Sequence, residues 1–190
     1  MGTMFLQEIE ATVMLTDVRD FSPLAAQLGP VELGLALQRF YEHVGAAIEA
    51  NHGRIVKFIG DGVLGAFIGA SAHRERALAC VSQLIREREA FLAENTKMKL
   101  PLLDYSMGVA SGSVLAGELG TAKLRFYDVL GQPVNQAFRL TGLATRRGVT
   151  NLVSAETYEG IADKAKRPAA VETDMVEIGT DKLRLFKLEG

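Results

Sequence analysis

Hydrophobic residues along the chain follow first a strand pattern and then helical ones. Residues 8–16 (EIEATVMLT) are rich in apolar and β-branched side chains and predict a strand that ends at Asp17. From Val31 to Ala50 the apolar positions recur at helical spacing, and Gly53 follows as a helix-ending residue. The same spacing predicts a second long helix over about residues 72–94.

Glycine-containing turns divide the rest of the chain into shorter elements. The run RIVKFIGDGVLGAFIG predicts two strands joined by a hairpin at Gly60-Asp61-Gly62. Residues 102–110 and 113–118 predict a second hairpin, which turns at Ser111-Gly112. The remaining predicted elements are a strand at 124–130, a helix from Pro133 to about Arg146, a strand at 151–153, a helix at 155–161 and a final hairpin at roughly 169–177 and 182–188.

This order of elements predicts an α+β fold. We expect a ferredoxin-like βαββαβ core sheet with helices packed on it and C-terminal α/β additions. The chain has 190 residues and shows no internal repeat or long linker, so residues 1–190 are expected to form a single domain. Because one architecture hosts many functions, the function has to be argued from particular side chains.

Composition and charge argue against several classes of function. The sequence is 48% hydrophobic and 23% charged with a formal net charge of −2, which argues against a nucleic-acid partner or a basic membrane patch. It contains no signal peptide and no apolar run long enough to span a bilayer, so a cytoplasmic location without a direct membrane segment is predicted. The single cysteine, Cys80, is predicted to be a buried thiol. The histidines lack metal-ligand spacing and are expected at the surface or at helix ends: His43, His52 and His73.

Four charged residues interrupt segments that should otherwise be buried: Asp17, Lys57, Asp61 and Asp128. Each has an ordinary structural explanation. Asp17 could cap the turn that follows it, Asp61 could be a turn residue, and Lys57 could point to solvent. Taken together, however, these explanations require four coincidences.

Strand alternation argues against simple exposure of Lys57 and Asp128. It places Lys57 on the same face as Ile55 and Ile59, and Asp128 on the same face as Phe126. Burying an unpaired charge costs several kcal/mol, so such charges lie at an edge or have partners.

The two aspartates Asp17 and Asp61 end neighbouring predicted strands. Paired carboxylates suit hard divalent cations such as Mg²⁺ and Mn²⁺, which prefer oxygen ligands. In the turn after the first strand, Ser22 is a predicted N-cap and Pro23 the first helical residue. Backbone N–H groups at a helix start suit phosphate oxygens, so Phe21 and Ser22 are candidate phosphate-binding positions.

A second polar pair lies on the helix that follows Pro133. Asn135 and Arg139 are four residues apart and therefore share one helical face. An amide and a guanidinium presented together suit a sugar and a phosphate. The alternative is an exposed polar helix face, which is the more frequent explanation for such a pair.

Several strings of residues together resemble the catalytic domain of class III adenylyl and guanylyl cyclases, adenylyl type: MLTDVRDFS, GRIVKFIGDGVLGAF, FYDVLGQPVNQAFRL and LVSAETYE. The resemblance covers about residues 9–188. It implies that Asp17 and Asp61 hold two divalent cations, Mg²⁺ or Mn²⁺, and that the carbonyl of Val18 reaches one of them.

The resemblance also implies roles for the other polar residues. Lys57 and Asp128 would read the purine, Asn135 would orient the ribose, and Arg139 would stabilise charge on the α-phosphate. In this family the site forms across a homodimer, with both metal aspartates from one chain and the other four residues from its partner. A homodimer is therefore required, and ATP is the implied substrate.

The base preference follows from the hydrogen-bonding groups. Adenine offers a ring-nitrogen acceptor and an amine donor, which match a lysine donor and an aspartate acceptor. Guanine reverses this pattern, and guanylyl cyclases resemble this sequence with Glu and Cys at the two positions. Lys57 and Asp128 thus predict conversion of ATP to 3′,5′-cyclic AMP and pyrophosphate.

The sequence departs from the family pattern at two places. Gly131-Gln132-Pro133 stands where a Gly-Asp-Ala variant is usual, and the last hairpin reads VEIGTDKLR where many members place a triphosphate-binding lysine. Lys182 and Arg184 are the candidates for that role. Two other functions stay open: a catalytically silent nucleotide-binding or dimerisation module of the same fold, and a diguanylate cyclase, whose Gly-Gly-Asp/Glu-Glu-Phe loop this sequence lacks. A regulatory domain outside this chain is left open as well.

Overall fold

The computed structural model describes residues 6–69, 71–173, 175–178 and 181–190. Its helices are α1 (Phe21–Ala25), α2 (Pro30–Ala50), α3 (His73–Lys97), α4 (Gln132–Arg146) and α5 (Ala155–Glu159), with a 3₁₀ helix at Lys164–Lys166. Its strands are β1 (Leu6–Val18), β2 (Arg54–Ile59), β3 (Gly62–Ile68), β4 (Tyr105–Gly120), β5 (Arg125–Leu130), β6 (Asn151–Ser154), β7 (Ala170–Glu172), β8 (Val176–Ile178), β9 (Asp181–Leu183) and β10 (Leu185–Leu188).

The centre of the main sheet is built from four antiparallel strands in the order β2-β3-β1-β4. This is the strand order of a ferredoxin-like βαββαβ unit, and it confirms the predicted fold class. Strand β6 runs parallel to β4, and β10 and β7 extend the sheet beyond it. Because β1 has a neighbour on each side, Asp17 at its C-terminal end lies in the middle of the sheet.

The predicted hairpin at Ser111-Gly112 is wrong, because both residues lie inside β4, which is one continuous strand. Its long antiparallel register with β1 passes through this point without interruption and places Ala11 opposite Gly112. The 13-residue β1 offers backbone partners on both sides of Gly112. A turn there would break ladder hydrogen bonds that the extended strand keeps.

Two hydrophobic cores lie on opposite faces of the sheet. Met14 of β1 packs into the first core, together with α2 and α3. Its neighbours Val13 and Leu15 face the other way, into the second core beneath Ala137 of α4. Helix α4 is thus attached to the face opposite α2 and α3, and residues on its outer side are left at the surface.

An irregularity at Val56 changes the alternation of β2. Ile55 lies opposite Gly65, and the next paired residue, Lys57, lies opposite Leu64. Lys57 therefore shares a face with Leu64 of the second core, whereas Ile55 packs against the first core. The prediction that Ile55 shares the face of Lys57 is wrong, because the extra residue of a bulge reverses the alternation.

Two further predictions concern buried polar groups. Cys80 is fully buried, as predicted, and burial raises the pKa of its thiol to about 12. His73 begins α3, as expected for a helix end, but it is buried rather than at the surface. Its Nδ1 lies 2.8 Å from Oγ1 of Thr12, and that hydroxyl also lies 2.7 Å from Oγ of Ser111. The neighbouring hydroxyls account for the burial of this histidine.

Candidate active site

The carboxylates of Asp17 and Asp61 are brought together by the pairing of β1 with β3. Asp17 lies opposite Gly62, the residue after Asp61, and the backbone N–H of Val18 donates to the carbonyl of Asp61 over 3.3 Å. A Cβ atom at Gly62 would lie 2.9 Å from Oδ1 of Asp17. Glycine at this position therefore leaves the space that the Asp17 carboxylate occupies.

Electrostatics at this pair are unfavourable for two ionised carboxylates. Burial raises the pKa of Asp17 from 3.8 to about 6, and the negative charge of Asp61 adds to the rise. Burial also raises the pKa of Asp61. Within the described residues, the Asp17 carboxylate makes no hydrogen bond or ion pair. A bound cation would remove the repulsion, since two adjacent carboxylates with free oxygen atoms are the donor set that Mg²⁺ and Mn²⁺ prefer. The residues therefore fit the divalent cations that the family resemblance implies.

Tyr41 of α2 contacts the turn that carries Asp61. The Tyr41 hydroxyl donates a hydrogen bond to the carbonyl of Gly60. Its ring lies against Phe58 of β2, with a centroid distance of 4.5 Å. Burial and the nearby negative charge of Asp61 raise the pKa of Tyr41. Sequence reasoning missed this residue, because in the helical pattern Tyr41 reads as one more apolar position.

The two predicted base-reading residues already touch in the single chain. Nζ of Lys57 on β2 lies 2.7 Å from Oδ2 of Asp128 on β5. The backbone N–H of Val129 donates to the other carboxylate oxygen, Oδ1, over 2.8 Å. The side chains are 42% and 20% exposed, so the pair faces solvent and is open to a ligand. The sequence predicted that such charges lie at an edge or have partners, and these two charges are partners of each other.

A second side-chain contact joins the same two strands. The guanidinium carbon of Arg54 on β2 lies 3.6 Å from the ring centroid of Tyr127 on β5. This distance is well inside the range of a cation–π interaction. Neither residue stood out in the sequence, where Arg54 reads as an exposed strand start and Tyr127 as part of an aromatic strand.

Asn135 and Arg139 lie on the exposed side of α4. The opposite side of the helix is buried, and Oγ1 of Thr141 donates to the carbonyl of Leu15 on β1 over 3.2 Å. In the part of the chain described here, neither Asn135 nor Arg139 makes a hydrogen bond or an ion pair with another side chain. A single chain thus brings together two of the predicted pairs and presents the third outward.

The predicted phosphate-binding positions near α1 differ in their exposure. The helix begins at Phe21 with Asp20 in the N-cap position, so the prediction of Ser22 as N-cap is wrong. Asp20 adopts a left-handed backbone with φ of 49°, which turns the chain two residues earlier than expected. Phe21 is half-buried against the first core, and Ser22 is exposed. The roles of Phe21 and Ser22 in phosphate binding stay predictions.

The other two phosphate candidates lie in or beside the β8–β9 hairpin. Arg184 is already engaged by two carboxylates, at 2.7 Å from Glu172 and 2.9 Å from Glu159. Lys182 is exposed and lines an open cavity of about 700 Å³ together with Gln132 of α4. The roles of Lys182 and Arg184 in binding the triphosphate stay predictions.

Family comparison agrees with the fold. Residues 6–190 match the model of the family described as "Adenylate and Guanylate cyclase catalytic domain". The chain belongs to this family. It is 27% identical over 160 residues to "Adenylate cyclase 1" of Rhizobium meliloti (strain 1021), a match that covers 83% of this chain and 24% of that protein. The chain thus spans about a quarter of the length of this curated relative.

Solved structures of cyclase domains share the fold. The crystal structure of the guanylyl cyclase Cya2 superposes with a TM-score of 0.85 at 24% identity and covers 97% of this chain and 93% of that one. The adenylyl cyclase CyaB from P. aeruginosa superposes with a TM-score of 0.81 at 24% identity, covering 97% and 96%. Among the described residues, no helix is long and apolar enough to cross a membrane.

Proposed function

We propose that the chain is one adenylyl cyclase catalytic domain, over residues 1–190, which converts ATP to 3′,5′-cyclic AMP and pyrophosphate. The reaction is an in-line attack of the ribose 3′-hydroxyl on the α-phosphate. The observation that carries the choice of ATP is the contact between Lys57 and Asp128 at 2.7 Å. It places a donor and an acceptor side by side on a solvent-facing edge.

The chemistry of the base explains why this pair favours adenine. The Lys57 ammonium donates to a ring nitrogen of adenine, and the Asp128 carboxylate accepts from the exocyclic amine. With guanine, a carbonyl would face the carboxylate and a ring N–H would face the ammonium. Each mismatched polar group costs about 1–3 kcal/mol when it is left unpaired, which is enough for clear discrimination.

Two divalent cations, Mg²⁺ or Mn²⁺, would be held by the carboxylates of Asp17 and Asp61 and by the carbonyl of Val18. When bound, such cations lower the pKa of the 3′-hydroxyl and offset the charge of the phosphates. Arg139 places positive charge where the transition state becomes more negative. Asn135 orients the ribose, and Lys182 and Arg184 are the candidates for binding the triphosphate.

Composite sites between two copies of the chain account for the outward direction of Asn135 and Arg139. One copy supplies Asp17 and Asp61, and its partner supplies Lys57, Asp128, Asn135 and Arg139. An exposed apolar surface near Asp128 supports this homodimer, because exposed apolar patches on soluble proteins mark interaction sites. Its members are Leu115 on β4, which lies opposite Leu130 on β5, and Phe126 on the same face of β5 as Leu130.

Purified chain is assayed with Mn²⁺ and either ATP or GTP, at two protein concentrations. We expect cyclic AMP as the main product and a specific activity that rises with protein concentration. Asp17→Ala should abolish turnover, whereas Glu89→Ala, which removes an exposed carboxylate on α3, should not. A chain that binds nucleotide without turnover would be the silent module instead.

Mixing two inactive variants tests the shared site. Asp17→Ala and Arg139→Ala chains damage opposite halves of the composite site, so a mixed dimer keeps one intact site. We expect turnover to recover in the mixture and not in either variant alone. If the mixture stays inactive while the wild-type chain is an active cyclase, the proposed sharing of the site between two chains is wrong.

A further inference from the structure

Strands β2 and β5 are joined by two side-chain bridges and, within the described residues, by no backbone ladder. One bridge is the Lys57–Asp128 ion pair, and the other is the stacking of Arg54 on Tyr127. Side-chain contacts therefore help to set the distance between the two strands, each of which also has a backbone ladder to its own neighbour, β3 or β4. Since the base-reading residues sit on different strands, that distance also sets the separation of their functional groups.

The bulge at Val56 is what allows both bridges to form. Arg54 lies opposite Ala66 and Lys57 lies opposite Leu64, two positions apart on β3 although three apart on β2. Both side chains consequently leave β2 on the same face. Without the bulge, residues three apart on a strand would point in opposite directions.

The two bridges hold different sides of β5. Tyr127 and Asp128 are consecutive, so their side chains leave β5 on opposite faces. Tyr127 packs against the second core, and Asp128 is on the side of the exposed Leu130. Arg54 thus fixes the core side of the strand, and Lys57 reaches the outer side.

Base binding would use only one of these bridges. Lys57 and Asp128 bond to each other in the free chain, and the same Nζ and carboxylate atoms must turn to the base when it binds. The Arg54–Tyr127 contact involves no group that the base needs. It can therefore persist while the ion pair is exchanged for bonds to the base, together with the packing of Val56 of β2 and Val129 of β5 in the second core.

We propose that Arg54 and Tyr127 are positioning residues that hold Lys57 and Asp128 at the separation required to discriminate between purine bases. This inference rests on the proposed function, since it assumes that Lys57 and Asp128 read the base. It adds two residues that touch neither substrate nor metal. Their removal should change selectivity more than turnover.

The test compares Tyr127→Leu and Arg54→Met with the wild-type chain. In both variants, we expect the ratio of kcat/KM for ATP to kcat/KM for GTP to move about tenfold closer to one, mainly through changes in KM. Loss of one cation–π contact can produce an effect of this size. Tyr127→Phe keeps the ring face and should keep the ratio. Arg167→Met is the matched control, because Arg167 also lies over a tyrosine, at 5.7 Å from the ring centroid of Tyr158.

Dissociation constants of fluorescent ATP and GTP analogues give a second ratio that does not require turnover. A wild-type chain that prefers GTP, or binds without turnover, contradicts the proposed function. The inference is then still decided by whether the variants bring the binding ratio closer to one. Equal losses for both nucleotides, or an unchanged ratio, would overturn it, as would failure of the wild-type chain to bind or distinguish either nucleotide.

Hydrogen exchange in the nucleotide-free protein supplies a further readout. The amide of Val129 donates to Asp128 and reports on β5 beside the ion pair. In Tyr127→Leu and Arg54→Met, we expect faster exchange at Val129, and no change there in Arg167→Met. Unchanged exchange at Val129 in both variants would mean that the Arg54–Tyr127 contact does not hold β5, and it would contradict the inference.

Discussion

The ammonium group of Lys57 lies 2.7 Å from the carboxylate of Asp128 and joins two strands that no described ladder connects. Partly exposed ion pairs of this kind contribute about 0–1 kcal/mol to stability, so the pair matters little for folding. Under the proposed function, the pair supplies a donor and an acceptor for the base. That makes the pair a direct target for changing the base preference.

Exchange of both residues should change the preferred nucleotide. Lys57→Glu with Asp128→Cys reverses the acceptor and donor pattern towards that expected for guanine. We expect the ratio of kcat/KM for ATP to that for GTP to fall by roughly tenfold or more, since each unpaired polar group costs about 1–3 kcal/mol. Steady-state assays with both nucleotides measure it. A variant that loses activity but keeps the wild-type ratio would show that other residues choose the base.

Loss of the Asp17 charge should stabilise the protein while it removes the activity. Folding raises the pKa of Asp17 from 3.8 to about 6, so ionisation of this group lowers stability as the pH rises between those values. In metal-free buffer at pH 7, Asp17→Asn should be more stable by about 1–3 kcal/mol, a range that allows for its partial solvent screening. Urea unfolding from pH 4 to pH 7 measures the difference, which should shrink towards pH 4.

Added Mn²⁺ should make the wild-type chain more stable than Asp17→Asn. The wild-type chain gains stability from a cation between its carboxylates, whereas Asp17→Asn gains less. Glu89→Gln serves as the control for removal of an exposed carboxylate and should follow the wild type throughout. If Mn²⁺ stabilises the wild type and Asp17→Asn equally, the cation does not bind at Asp17.

Removal of the Tyr41 hydroxyl should loosen the turn that carries Asp61. Tyr41→Phe keeps the ring against Phe58 and deletes only the hydrogen bond to the Gly60 carbonyl, a loss of about 1 kcal/mol. We expect faster amide exchange at Asp61 and a several-fold higher Mn²⁺ concentration for half-maximal activity.

Tyr158→Phe is a close control for that change. Tyr158 also donates to a backbone carbonyl, that of Pro168 over 2.9 Å, and stacks on a phenylalanine, with 4.3 Å between ring centroids. Its removal should cost similar stability and leave the Mn²⁺ requirement unchanged. The same shift in both variants would mean that Tyr41 acts through general stability alone.

A charge on the apolar surface of β5 should prevent dimer formation. Leu130 is 46% exposed and lies opposite the exposed Leu115 on β4. Leu130→Glu should give a monomer in sedimentation velocity and lose activity at low protein concentration, with little effect on folding. Met98→Glu is the control, because Met98 is similarly exposed, at 55%, but follows α3 on another part of the molecule. Dimeric, active Leu130→Glu would contradict the proposed interface.

Much of the fold could be predicted from local pattern. The bounds of α2 and α4 follow from the spacing of apolar residues and from the glycine and proline that flank them. The hairpin at Gly60-Asp61-Gly62 follows from its turn residues. These features depend on neighbours within a few positions, which is why a single sequence contains them. Failure occurred at Ser111-Gly112, where the deciding partner was β1, about a hundred residues away.

The four charged residues could be identified from the sequence because burying an unpaired charge in an apolar strand is costly. Composition, spacing and the family resemblance together indicated the residues of the candidate site and the chemistry expected of them. Only the tertiary structure decided how those residues are supported. The bulge at Val56, the hydroxyl of Tyr41 on the Asp61 turn and the Arg54–Tyr127 contact arise between elements that are distant in sequence. Such contacts depend on the register and packing of whole strands, and no local pattern in the sequence encodes them.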